Sequence, residues 1–197
     1  MNTFINILTT ALISIFIQNS IFDRALGSNV LLYAARKKEH LLGFAAGITY
    51  ITALAAIPVY FLDRLFAGFE YYSIIMPFMY ILAVGIIYCV TLIAIWRFFP
   101  KLFSKIKKYV HLSVFNCSVL GALFLASQYG SDLGSYIGYG IGTGIGFLLA
   151  AYLLYIAADR LNSELVPACF RGMPVMIVYV GILSLAFYAF MGYTTAI

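Results

Sequence analysis

Phe115-Asn116-Cys117-Ser118-Val119-Leu120-Gly121 places an asparagine, a cysteine and a serine in the middle of the apolar run Val110–Ser127. A polar group at that depth is expensive in lipid, so it normally faces a protein interior, a cavity or a cofactor. A second short run of the same character lies near the start of the sequence. There, Ile5–Phe22 carries Gln18-Asn19 and leads to Leu26-Gly27, just as Asn116-Cys117 leads to Leu120-Gly121. Short, polar-interrupted runs at corresponding positions of two halves point to a functional site near the midplane.

Of the 197 residues, 64% are hydrophobic and 10% charged, with a mean hydropathy of +1.00. A soluble domain carries about 25% charged residues, so this chain cannot present an ordinary wet surface. Six apolar spans are predicted: Ile5–Phe22, Leu41–Leu62, Tyr72–Trp96, Val110–Ser127, Ile137–Ala157 and Pro174–Ala196. Most reach the ~20 residues that cross a hydrocarbon core. The predicted fold is an all-α integral membrane protein with a single domain over residues 1–197. Repeat 1 covers about 1–97, a basic cytoplasmic linker about 97–109 and repeat 2 about 110–197. Three spans per half is an odd number, so the second half enters the membrane from the opposite side. This makes an inverted-topology repeat, with helices 1 and 4 interrupted at corresponding positions near the midplane.

Charge sets the expected orientation. Of the 12 Lys and Arg residues, Arg64 alone falls on the side of the two termini. The others, including Arg36-Lys37-Lys38 and Lys101, Lys105, Lys107 and Lys108, fall on the opposite side. The positive-inside rule then predicts both termini outside and the loops after spans one, three and five in the cytoplasm. The net charge of +5 reads as a topology signal and not as nucleic-acid binding, and the basic cluster suits a lipid headgroup surface. No positive region precedes the first apolar run, so that run is expected to be a retained span and not a leader.

Span five carries Gly134, Gly138, Gly142 and Gly146 at four-residue spacing, with Gly140 and Gly144 between them. Such a stripe lets another helix approach closely, and the second pair smooths another face. Asp23-Arg24 and Asp159-Arg160 suit interfacial ion pairs, and Asp23-Arg24, beside the first interruption, is a candidate gate or ion-path element. The midplane candidates are Gln18, Asn19, Asn29 and Asn116. Cys89, Cys117 and Cys169 cannot all pair, and none lies in a predicted outer loop, so no structural disulfide is expected. Read alone, Cys117 is a buried packing thiol. No catalytic set, phosphate loop or helical zinc motif occurs, so no self-contained enzyme site is predicted.

Three segments together resemble the six-span family shared by the Rnf and Nqr ion-translocating electron-transport complexes. They are Gln18-Asn19 through Leu26-Gly27 to Arg36-Lys37-Lys38, then Asn116 to Gly121, then Val166-Pro167-Ala168-Cys169-Phe170-Arg171-Gly172 continuing into Gly181–Phe187. The likeness runs over essentially the whole chain and is similar to the A-type Rnf and E-type Nqr branch. The resemblance implies pairing with a homologous, oppositely oriented six-helix subunit, together with other Rnf/Nqr-type subunits in the lipid bilayer. It also implies one [2Fe–2S] cluster held by a cysteine from each half of both subunits, an ordinary thiolate set for two irons. On that basis Cys117 matches the second-half ligand.

The first half departs from the pattern. Where the family has cysteine two residues after its Leu-Gly pair, this chain reads Leu26-Gly27-Ser28-Asn29. Asn29 offers only an amide, and cluster iron prefers sulfur. The sequence therefore points to a membrane subunit of such a complex, or a divergent paralogue that keeps the scaffold without the usual cluster. A cluster completed by a non-thiolate ligand or extra partner cysteines is the other possibility within the family. The alternative function is a stand-alone or homodimeric inverted-repeat transporter of an ion or small molecule, with a second copy of the chain as partner.

Overall fold

The computed structural model describes residues 2–164 and 166–192. The termini used for orientation, and the end of the sixth predicted span at Ala196, lie outside the described residues, as do the side chains of Lys101 and Lys105. Helix α1 (Asn2–Leu12) continues into a π-helical turn (Ile13–Ile17), and α2 (Ser28–Ala34) follows after a break. The later helices are α3 (Lys38–Phe66), α4 (Tyr72–Phe98), α5 (Pro100–Val114), α6 (Cys117–Tyr129), α7 (Leu133–Leu161) and α8 (Met173–Gly192). No strand occurs among the described residues. An apolar chain in lipid must satisfy every backbone group within its own segment, and helices do this.

Three helices, α3, α4 and α7, are long and apolar enough to cross a membrane alone. The pair 106–114 and 117–129, bent by 51°, makes a fourth when counted as one span. Thr3–Ile17 and Met173–Ala189 are shorter apolar helical stretches. The basic segment expected to be a linker is itself helical: Pro100 opens α5, where its missing N–H costs nothing, and the helix runs on to Val114. The helix thus begins well before the predicted fourth span, and its apolar part begins at Ile106 and not at Val110.

The long helices α3 and α7 form the centre. Thr52 and Ala53 of α3 lie against Gly140, and Thr49 lies against Gly144. The Thr52 hydroxyl donates to the Gly140 carbonyl at 2.7 Å. On its other side, α3 receives the Tyr109 ring at Gly43 and Ser113 at Gly47, both from α5. The opposite glycine edge of α7 takes α1. A Cβ on Gly134 would meet Thr3, one on Gly138 would lie 2.7 Å from the Ile7 carbonyl, and one on Gly142 would lie 2.6 Å from that of Ala11. One on Gly146 would meet the Asn19 amide at 2.8 Å. Large apolar side chains such as Ile74, Phe78, Val90, Ile182 and Leu185 remain on the outer faces of α4 and α8, as lipid or a partner requires.

Candidate functional site

Two polar breaks are built by asparagines. In the first, α1 widens into the π-helical turn, closed by Gln18 N–H on the Ile13 carbonyl at 2.8 Å. Asn19 then takes over the freed backbone. Its Oδ1 accepts from the Ile21 N–H at 3.0 Å, and its Nδ2 donates to the carbonyls of Ile15 at 2.9 Å and Gly146 at 3.2 Å. Asn19 to Phe22 are buried, so this irregular backbone is shielded from lipid by protein. Ser184 of α8 donates to the Phe22 carbonyl, and Phe187 stacks on Phe22 at 4.3 Å. Gln18 accepts from the Tyr139 hydroxyl at 2.7 Å.

In the second break, Asn116 caps α6 by accepting from Ser118 N–H at 3.0 Å. Gly27, in the left-handed region at φ +83°, caps α2. The two breaks meet. The Ser118 hydroxyl donates to the Leu26 carbonyl at 2.7 Å. A Cβ on Gly27 would collide with Asn116 Oδ1, and one on Gly121 would collide with the Leu26 side chain. Thus each Leu-Gly pair takes part in the other's contact, and the N-terminal ends of α2 and α6 converge. The Asn116 Nδ2 is buried without a hydrogen-bond partner, as is the Ser20 hydroxyl.

Asn29 is the second residue of α2 and Cys117 the first of α6, and both are exposed. The reading of Cys117 as a buried packing thiol is therefore corrected: its place at the start of α6 turns it outward, into a groove of about 240 Å³ shared with Asn116, Tyr88, Phe115 and α4. Cys89, on α4, and Cys169, in the turn between α7 and α8, are free and exposed. Asp23 and Arg24 pair at 3.2 Å and line a separate cavity of about 330 Å³ against α8. Asp159 and Arg160 are exposed and form no ion pair among the described residues. His40 and His111 bond to Tyr109 at 3.1 Å and Tyr88 at 2.7 Å, within aromatic clusters.

Asp132 is the N-cap of α7, receiving the Ser135 N–H at 3.2 Å and hydroxyl at 2.5 Å. These bonds, the hydroxyl's first, hold its carboxyl below the ordinary carboxylate value, with Asn6 at 3.2 Å adding to the effect.

Sequence reasoning missed one group. Asp63 of α3 is buried and receives three phenol hydroxyls: Tyr80 at 2.5 Å, Tyr136 at 2.6 Å and Tyr72 at 3.0 Å. The Ser127 hydroxyl stands 3.3 Å from that of Tyr72. The predicted second span stops at Leu62, which leaves Asp63 as an apparent loop residue, whereas α3 continues to Phe66. The available signal was a lone acid followed at nine and seventeen residues by tyrosines.

The sequence matches known proteins over nearly its whole length. The family profile described as "Rnf-Nqr subunit, membrane protein" matches residues 7–194. The A subunit of the ion-translocating oxidoreductase complex of Syntrophotalea carbinolica is 27% identical over 95% of this chain and 97% of that protein. The protein of the same description from Alkalilimnicola ehrlichii is 31% identical over 91% of this chain and 93% of its own length. The A subunit of the Na⁺-translocating ferredoxin:NAD⁺ oxidoreductase complex of Acetobacterium woodii is 28% identical over 91% and 93%. With the family pattern running through both breaks and nearly end to end, the chain belongs to the Rnf-Nqr membrane subunit family.

Proposed function

We propose that this chain is a membrane subunit of an Rnf-type ion-translocating electron-transport complex, crossing the membrane six times as two inverted three-helix halves. The observation that carries the functional reading is the end-to-end likeness to the A subunits of such complexes. The order of elements supports the repeat: a broken element, a 29-residue helix and a further apolar helix occur once in residues 2–98 and again in 100–192. Both breaks are then midplane features, buried against each other, as transporter-like inverted repeats place them. The charge asymmetry supports both termini outside, in a bacterial or archaeal cytoplasmic membrane.

The donors on this chain do not fit its half of a four-thiolate cluster. Cys117 supplies one thiol, Asn29 an amide, and no trio of His, Cys, Asp or Glu gathers among the described residues. The exposed Cys117 and Asn29, at the convergent ends of α6 and α2, mark the face that a homologous subunit covers. This chain's own part is to hold that face: the Asn19 and Asn116 caps fix the two half-helices, and Gly27 and Gly121 let them approach.

Gentle solubilisation with co-purifying partners, followed by iron and sulfide analysis and EPR after reduction, tests the reading. Co-purification with other Rnf-type subunits is expected. A two-iron signal abolished by Cys117→Ser would show that a partner supplies the missing ligands. A chain that purifies alone, iron-free, and moves an ion in liposomes would instead establish the stand-alone or homodimeric transporter. Asn29 in place of a thiol is the observation that favours this second reading.

A further inference from the structure

Asp63 is a buried carboxylate without a cationic partner among the described residues. Its neighbour Arg64 turns away, donating to the Ser131 carbonyl at 2.9 Å with its guanidinium 5.2 Å from the Tyr60 ring centroid. Among the described residues the one ion pair is Asp23–Arg24. The groups bonded to Asp63 from the elements packed around it are Tyr72 and Tyr80 of α4 and Tyr136 of α7, with Ser127 of α6 behind them against the Tyr72 hydroxyl. Phenol hydroxyls stabilise a carboxylate but leave its charge uncompensated, and an uncompensated charge in a low-dielectric interior is costly.

The oxygens gathered there are the two of Asp63, three phenols and one serine hydroxyl, drawn from four helices. An all-oxygen set of about six ligands suits a hard cation. A single negative charge suits a monovalent ion better than a divalent one. We propose that the Asp63–Tyr72–Tyr80–Tyr136–Ser127 cluster is a binding site for a monovalent cation of sodium's class. The three phenol hydrogens directed at Asp63, across O···O distances of 2.5 to 3.0 Å, occupy the place that an ion would take. On entry of the ion, the hydroxyls rotate to present lone pairs and the cage opens slightly. Tyr72, held at 3.0 Å and with Ser127 at 3.3 Å as an alternative acceptor, is the hydroxyl freest to turn first. The cage lies within a turn or so of the ends of α3, α6 and α7 and at the start of α4, so an ion reaches it from one membrane face. The inference extends the ion-translocating reading to a named site, and its test does not require an assembled complex.

The test is the thermal unfolding midpoint of the full-length chain in nanodiscs, titrated with NaCl against choline chloride at constant ionic strength. A saturable, sodium-specific rise of about 5 °C or more is expected. It should vanish in Asp63→Asn. Tyr72→Phe keeps the carboxylate and serves if that variant does not fold; it should move the titration midpoint several-fold to higher sodium. Identical curves in the two salts, a sodium shift surviving in Asp63→Asn, or an unmoved midpoint in Tyr72→Phe would each overturn the site. Failure to find partner subunits would count against the complex and leave this titration unaffected.

Discussion

Gly140→Ala is the sharpest probe of the central packing. An added Cβ would lie 2.8 Å from the Ala53 nitrogen, 2.9 Å from its Cα and 2.9 Å from the Thr52 carbonyl carbon. All three are backbone atoms, so no side chain can swing aside. Ordinary carbon contacts sit near 3.5–4.0 Å, so α3 and α7 must part by about 0.7 Å or more. Overpacking of this kind costs about 1–3 kcal/mol. The Thr52–Gly140 hydrogen bond at 2.7 Å stretches with it, at about 1 kcal/mol. Alanine's better helix propensity returns about 1 kcal/mol. The net is a loss of about 2 kcal/mol, or a midpoint lowered by about 4–8 °C for a chain of this size. Gly181→Ala is the control, because a Cβ there meets nothing within 4 Å. It should be neutral or stabilising by up to about 1 kcal/mol. Thermal unfolding of both variants in bicelles decides the matter. A Gly140→Ala protein as stable as Gly181→Ala would refute the close backbone approach.

Gly27→Ala should destabilise by about 2–3 kcal/mol, combining left-handed strain of about 1–2 kcal/mol with displacement of the Asn116 cap, measured in the same unfolding assay. Asp132→Ala should cost about 1 kcal/mol as a lost helix cap. Because the Asp132 carboxyl is held below the ordinary value of 3.8, its contribution is present above that pH and lost as the pH falls through the depressed value. The parent's midpoint should therefore drop more steeply on acidification than that of the alanine variant. Maleimide should label Cys169, in the exposed turn before α8, and Cys117, open to its groove beside Asn116, in the isolated chain, whereas Cys89, on the lipid-facing side of α4, should resist. Within an assembled complex Cys117 should be protected, as followed by mass spectrometry.

The sequence was sufficient where one residue type has one physical use. Few charges and long apolar runs required membrane helices, because lipid offers backbone groups no partner. Glycine at every fourth position of α7 required a close neighbour, and Asn19 and Asn116 had to be sheltered. The family pattern, from the first break to Phe170-Arg171-Gly172, was legible for the same reason, as was its departure at Asn29. What hydropathy could not place were contacts between distant segments. That Gly27 faces Asn116 while Leu26 rests on Gly121, and that α1 and α3 take opposite glycine edges of α7, follow from how the helices cross. The outward turn of Cys117 depends on where α6 starts, which Asn116 sets by capping. Asp63 shows the limit most plainly. In sequence it ends an apolar run and looks solvated, whereas in the fold three tyrosines from two other helices close over it, and only that convergence makes it a site.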